Sequence, residues 1–224
     1  MMLDLDGPVG RLEALLDEPT AAQWKSRPRA IAVLCHPHTA HGGTMHTKVI
    51  YQAAKALVRT GCAVLRFNFR GAGSSAGTFD AGPGEMDDFR AALDFMIARY
   101  AEVKDVWAGG FSFGAWIALA VGAEDNRVTA LIGIAPPVGS YNFSAVRHST
   151  KSKFFIQGER DELFSLSDLR RFYAELPEPK DLVVIDGADH LFDGKTSEVG
   201  DAIEDLLQDF PVAERGERRG AAGE

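Results

Sequence analysis

The sequence predicts an α/β fold, a mostly parallel sheet of about seven to eight strands with helices on both faces. Three observations predict it. Continuous apolar runs recur along the chain, as strands covered on both faces require. Stretches of helical period lie between those runs. The chain has 224 residues, 46% hydrophobic and 25% charged, which suffices for one real core without disulfide staples.

The elements follow in order. Val9 to Glu18 alternates around Leu12 and Leu15 and reads as an edge strand or hairpin. Pro19 to Pro28 is polar, holds two prolines and reads as a connecting loop. Ala30 to Cys35 is the first buried strand. A loop rich in His, Pro and Gly runs from His36 to Thr44. Met45, Val49, Ala53, Ala56 and Leu57 share one face of a helix over Met45 to Thr60, which Gly61 can cap. Cys62 to Phe67 is the next strand, and Asn68 to Gly84 a glycine-rich loop. Met86, Phe89, Leu93, Met96, Ile97 and Tyr100 mark an amphipathic helix over Glu85 to Tyr100. Val103 to Ala108 is a strand, and Ser112 to Val121 an almost wholly apolar, buried helix. Arg127 to Ala135, Lys153 to Gln157 and Leu182 to Ile185 are strands. Helices are marked by Leu166, Leu169, Phe172, Tyr173 and Leu176, and by Val199, Ile203, Leu206, Leu207 and Phe210. Residues 1–211 are thus expected to form one domain. Residues 212–224 carry too little apolar surface to pack, and the expectation is a flexible or disordered tail.

Charge and composition exclude several classes. The net charge of −8 gives no basic footprint for nucleic acid or for an anionic membrane. No apolar stretch approaches the roughly 20 residues of a membrane helix. Met1 to Gly10 has neither the basic nor the apolar region of an export signal. Cys35 and Cys62 sit in apolar runs and read as small buried hydrophobes. A cytoplasmic protein is expected. A homodimer is compatible with the sequence.

Chemistry in a parallel sheet gathers at the carboxyl ends of the strands. Gly110-Phe111-Ser112-Phe113-Gly114 fits G-x-S-x-G between a predicted strand and a predicted helix, the context this motif requires. Glycines on both sides let strand and helix close in while the Ser112 hydroxyl is pushed out of the turn. A serine needs a base, and the base an orienting carboxylate. Of six histidines only His148 and His190 follow Ser112. His190 lies directly after the last strand and is the expected base, while His148 reads as a solvated loop residue. Glu159, Asp161 and Glu162 compete for the acid after the strand ending at Gln157. Asp161 is favoured, because Glu159 stands too close to the strand and Glu162 suits the start of the next helix. Asp189 is read as a surface residue. Two backbone amides must hold the oxyanion. Phe113 supplies one, and His38 the other, ahead of Thr39; Pro37 has no N–H. His36, His38, His41 and His46 could suggest a metal, but no further ligand stands at a familiar spacing, so neither metal nor cofactor is expected.

These residues resemble the small, cap-less bacterial α/β-hydrolases related to dienelactone hydrolases, many of them of unassigned function. The matching pieces are Leu34 to His38, Gly42 to Met45, Arg66 to Gly71, Gly73 to Asp80, Gly110 to Ala115, Ile134 to Pro137, Gln157-Gly158 with Asp161-Glu162, and Ala188 to His190. The resemblance spans nearly the whole chain. It implies serine carboxylesterase-like activity on short acyl esters and the triad Ser112, Asp161, His190. Dienelactone hydrolases carry cysteine where this chain has Ser112, so ordinary esters are expected through an acyl-enzyme. The short gap from Ala135 to Lys153 leaves no room for a separate cap domain. Tyr141, Asn142 and Phe143 would cover the pocket in part, and Phe111, Phe113, Phe143, Phe164 and Phe192 would wall it. Phe111, Phe143, Phe192 and His41 are the expected substrate contacts. Thioester or small-amide hydrolysis with the same triad is the first alternative. A non-catalytic ligand-binding protein is the second.

Overall fold

The computed structural model describes residues 1–20 and 27–208. Eight strands form one sheet in the order β1-β2-β4-β3-β5-β6-β7-β8. The hairpin β1 (Met2–Gly7) and β2 (Gly10–Asp17) is antiparallel, and β2 also runs antiparallel to β4 (Ala63–Phe67). β3 (Ile31–Cys35), β4, β5 (Val106–Phe111), β6 (Ala130–Ile134), β7 (Ser152–Gly158) and β8 (Lys180–Ile185) are all parallel.

Every residue of β3 is buried because both faces of the sheet are covered. Its side chains alternate between two cores, as the two-residue period of a strand dictates. Ile31, Val33 and Cys35 face one, with Phe89 and Leu93 of α2 (Pro83–Arg99) and Ile117 of α3 (Phe113–Glu124). Ala32 and Leu34 face the other, with Ile50 and Leu57 of α1 (Lys48–Arg59) and Ile203 of α6 (Thr196–Gln208). The central strands need small residues where helices press closely. A side chain on Gly122 of α3 would meet Ala108 of β5.

The predicted elements are present with shifted ends. The N-terminal hairpin starts earlier than expected, because Leu3 and Leu5 alternate with the acidic Asp4 and Asp6. The strand expected at Val103 to Ala108 lies at β5 and runs on through Gly109 and Gly110. Between β6 and β7 lies only the five-residue helix α4 (Ser144–His148), which periodicity did not announce. No separate cap domain occurs among the described residues. Part of the expected loop at Pro19 to Pro28, the end of the last expected helix at Phe210 and the expected tail lie outside the described residues. Among the described residues no helix is long and apolar enough to cross a membrane.

Candidate active site

The site forms where β5, β7 and β8 release their loops at the carboxyl edge. β5 ends at Phe111, and Ser112 turns the chain into α3 at φ 55°, ψ −123°. A side chain there is strained by about 1–3 kcal/mol and persists only where its surroundings enforce it. Enforcement is visible. The Ser112 N–H donates to the Ile134 carbonyl at 2.9 Å. A Cβ on Gly110 would run into the Gly114 carbonyl, and one on Gly114 into the His36 carbonyl. The two glycines flanking the turn therefore let α3 seat against both β5 and the loop after β3.

Three side chains meet in series. His190 Nδ1 lies 2.8 Å from Asp161 Oδ2, and His190 Nε2 lies 3.0 Å from Ser112 Oγ. A carboxylate only accepts, so Nδ1 carries the hydrogen and Nε2 is left to accept from the serine hydroxyl. All three residues are buried. The imidazole is held between aromatic rings, with the centroids of Phe111 and Phe164 each 5.2 Å away.

Asp161 is held by more than His190. Its Oδ1 accepts the N–H groups of Leu163 at 2.9 Å and Phe164 at 2.8 Å. Its Oδ2 also accepts from Gln157 Nε2 at 2.8 Å. The second hydrogen of that amide goes to the Phe164 carbonyl at 2.8 Å. Both partners are acceptors, which fixes the amide's orientation. Gln157 Oε1 is buried with no partner. Sequence reasoning passed over Gln157, though a polar residue closing the apolar run Phe154 to Ile156 was a signal.

The other carboxylates stitch the acid turn to the base turn. Glu159 Oε2 accepts from Gly187 N at 2.9 Å, and Glu162 Oε2 from His190 N at 3.3 Å. Backbone bonds join Glu159 N to Ile185 O at 3.0 Å and Arg160 N to Ala188 O at 2.8 Å. The expectation that Glu162 begins the next helix is corrected, since α5 (Leu166–Glu175) is capped by the Ser165 side chain. Asp189 Oδ1 accepts from Asp193 N at 2.9 Å. His148 is exposed at the end of α4.

The loop after β3 supplies the opposite wall. Among the described residues, neither the His38 nor the Phe113 backbone N–H donates to another group, so both amides can receive an oxyanion. The His38 carbonyl faces into the loop, accepting from His41 N and Gly43 N. His36 bonds within the loop and also reaches beyond it. Its Nδ1–H donates to the Pro37 carbonyl at 2.6 Å, and its Nε2 accepts from Phe69 N at 3.0 Å. Burial pulls the pKa of His36 down to about 4, so it is the neutral imidazole near pH 7. Burial also lowers the pKa of His38, with the neighbouring His41 adding to the effect.

These walls enclose a cleft of about 360 Å³. Its lining comprises Ser112 and His190, the residues Pro37, His38 and His41, the rings Phe111, Phe113, Tyr141 and Phe164, and Pro137, Leu163 and Leu191. No lysine, arginine, aspartate or glutamate is among them. Tyr141 is set in place by stacking on Trp116 at 4.3 Å, whose Nε1–H holds the Asn142 carbonyl. Two expected contacts are corrected. Phe143 packs on Phe172 and Phe192 against Phe111, and neither lines the cleft, because each side chain is buried in the core. Phe111 and His41 do line the cleft. Pro37, Pro137, Leu163 and Leu191 were missed, and nothing in the local sequence separated them from surface residues.

Fold and site together define an α/β serine hydrolase without a lid. The chain belongs to the family described as serine aminopeptidase, S33, whose model matches residues 26–152. A Xanthomonas campestris structure, described as an α/β serine hydrolase without lid, is 36% identical with a TM-score of 0.85, covering 93% of each chain. A Coxiella burnetii α/β serine hydrolase homologue is also 36% identical at TM-score 0.85, over 92% of this chain and 97% of its own. An uncharacterized protein of Rickettsia prowazekii is 38% identical over 211 residues, 90% of this chain and 86% of that protein.

Proposed function

We propose that the chain hydrolyses neutral carboxylic esters with short acyl groups through an acyl-enzyme on Ser112. The observation that carries this reading is the series Asp161–His190–Ser112 opening into an apolar cleft without a charged wall. Ser112 Oγ attacks the carbonyl carbon as its proton passes to His190 Nε2. Negative charge grows on the carbonyl oxygen, where the amides of His38 and Phe113 receive it. His190 returns the proton to the alcohol oxygen as the carbon–oxygen bond breaks. Water then repeats the sequence on the acyl-enzyme and frees the acid. Asp161 keeps the His190 ring in the required tautomer throughout.

The lining also sorts the alternatives. An aminopeptidase must hold a substrate ammonium, and a carboxylate in the cleft would be needed to pair it. An acyl-coenzyme A must bring phosphates, and cations would be needed. The cleft supplies neither. With p-nitrophenyl acetate, Ser112→Ala and His190→Ala should each lower kcat by on the order of 10³-fold or more, with KM little changed. A fluorophosphonate probe should label the native chain and not Ser112→Ala. Wild-type turnover by Ser112→Ala would overturn the reading, and so would preferential hydrolysis of aminoacyl amides or acyl-coenzyme A.

A further inference from the structure

Two exposed leucines stand at the mouth of the cleft and take no part in the steps above. Leu163 and Leu191 are 62% and 61% exposed, yet both line the cleft with Ser112 and His190. Among the described residues, the other large apolar side chains more than half exposed are Met1 and Met2, at 61% and 55%, at the start of the edge hairpin. Leucine in water stabilises nothing, and an exposed apolar patch continuous with a pocket marks something that covers it. Each leucine is fixed beside a reacting group. Leu163 follows Asp161 by two residues and donates its N–H to that carboxylate. Leu191 follows His190 directly.

The chemistry of the leaving group says which part of the substrate meets them. His190 must hand its proton to the alcohol oxygen, which therefore comes within about 2.6–3.2 Å of Nε2. The rest of the alcohol leaves past the imidazole, whose neighbours in the lining are Phe164, with its ring 5.2 Å away, Leu163 just before Phe164 in the chain, and Leu191 just after His190. The acyl carbonyl is turned the other way, toward the free amides of His38 and Phe113. We infer that the leaving alcohol carries an apolar arm of several carbons that rests on Leu163 and Leu191. The substrate class is then a short-acyl ester of an apolar alcohol. This inference rests on the ester reading and deepens it.

A methylene taken fully out of water is worth about fourfold in binding, and an open rim covering one face of the arm gives about twofold. Four methylenes, from ethyl to hexyl acetate, should then raise kcat/KM about sixteenfold. The test measures ethyl, butyl and hexyl acetate with the wild type and with the double variant Leu163→Ser/Leu191→Ser. The hexyl-to-ethyl ratio should fall toward one in the variant, and being internal to each enzyme it cancels any general loss. A second series, ethyl acetate, butyrate and hexanoate, reads the acyl arm and should give the same ratio in both enzymes. An alcohol ratio unchanged by the substitutions overturns the inference. So does a variant that alters the acyl series in place of the alcohol series. Wild-type protein that turns over no ester and takes no fluorophosphonate overturns the ester reading itself.

Discussion

His36 should make the protein acid-labile well before its carboxylates titrate. The imidazole is fully buried, its Nδ1–H spent on Pro37 and its Nε2 filled by the Phe69 amide. Adding a proton at Nε2 would set two donors against each other and place an unpaired charge in the core. The folded-state pKa of about 4 compares with 6.5 for an ordinary histidine. Below pH 6.5 the unfolded chain therefore takes the proton first, and stability falls until the folded pKa is reached. At about 1.36 kcal/mol per pH unit the loss comes to about 3 kcal/mol. Above about pH 6.5 this residue contributes no further pH dependence. Urea denaturation at several pH values between 7 and 4 measures the slope. His36→Asn should be less stable at pH 7, because the Phe69 amide loses its acceptor, yet its stability should fall by about 3 kcal/mol less over the same range. Parallel slopes for wild type and variant would refute the argument.

Two further outcomes follow from contacts beneath the site. Gln157→Leu should lower kcat about tenfold with KM unchanged, because Asp161 loses a donor that fixes it. Its stability should fall by about 1–3 kcal/mol, because the Phe164 carbonyl and Asp161 each lose a donor while only one unpaired buried oxygen is removed; a denaturation midpoint measured beside kcat separates the two effects. Phe192→Ala should cost about 3–5 kcal/mol of stability while leaving the chain-length preference of the folded fraction unaltered, as thermal unfolding and an ester series would show.

The central strands were legible because burial on both faces writes continuous apolar runs, as in Ala30 to Cys35. The Ser112 turn was legible because its geometry demands glycine at fixed positions, Gly110 and Gly114. Acid and base could be ordered along the chain because each follows a recognisable strand. The first strand was less legible, since an edge strand such as Met2–Gly7 is free to expose aspartates. Pocket contacts were least legible. Phe192 and Leu191 are neighbours, yet one enters the core and the other faces water, with Phe192 at φ 54°. A local backbone twist decides between them, and side-chain type does not report it.

The bonds that join the acid turn to the base turn give the site an uneven grip on the fold. Ser112 hangs from β5, near the middle of the sheet, whereas Asp161 and His190 follow β7 and β8, the last two strands. The half-buried β8 forms the border of the sheet. Fraying begins at such borders. Because the two turns are tied together, opening of that border should shift acid and base together relative to the serine on β5. Warming should thus silence this chain before it melts.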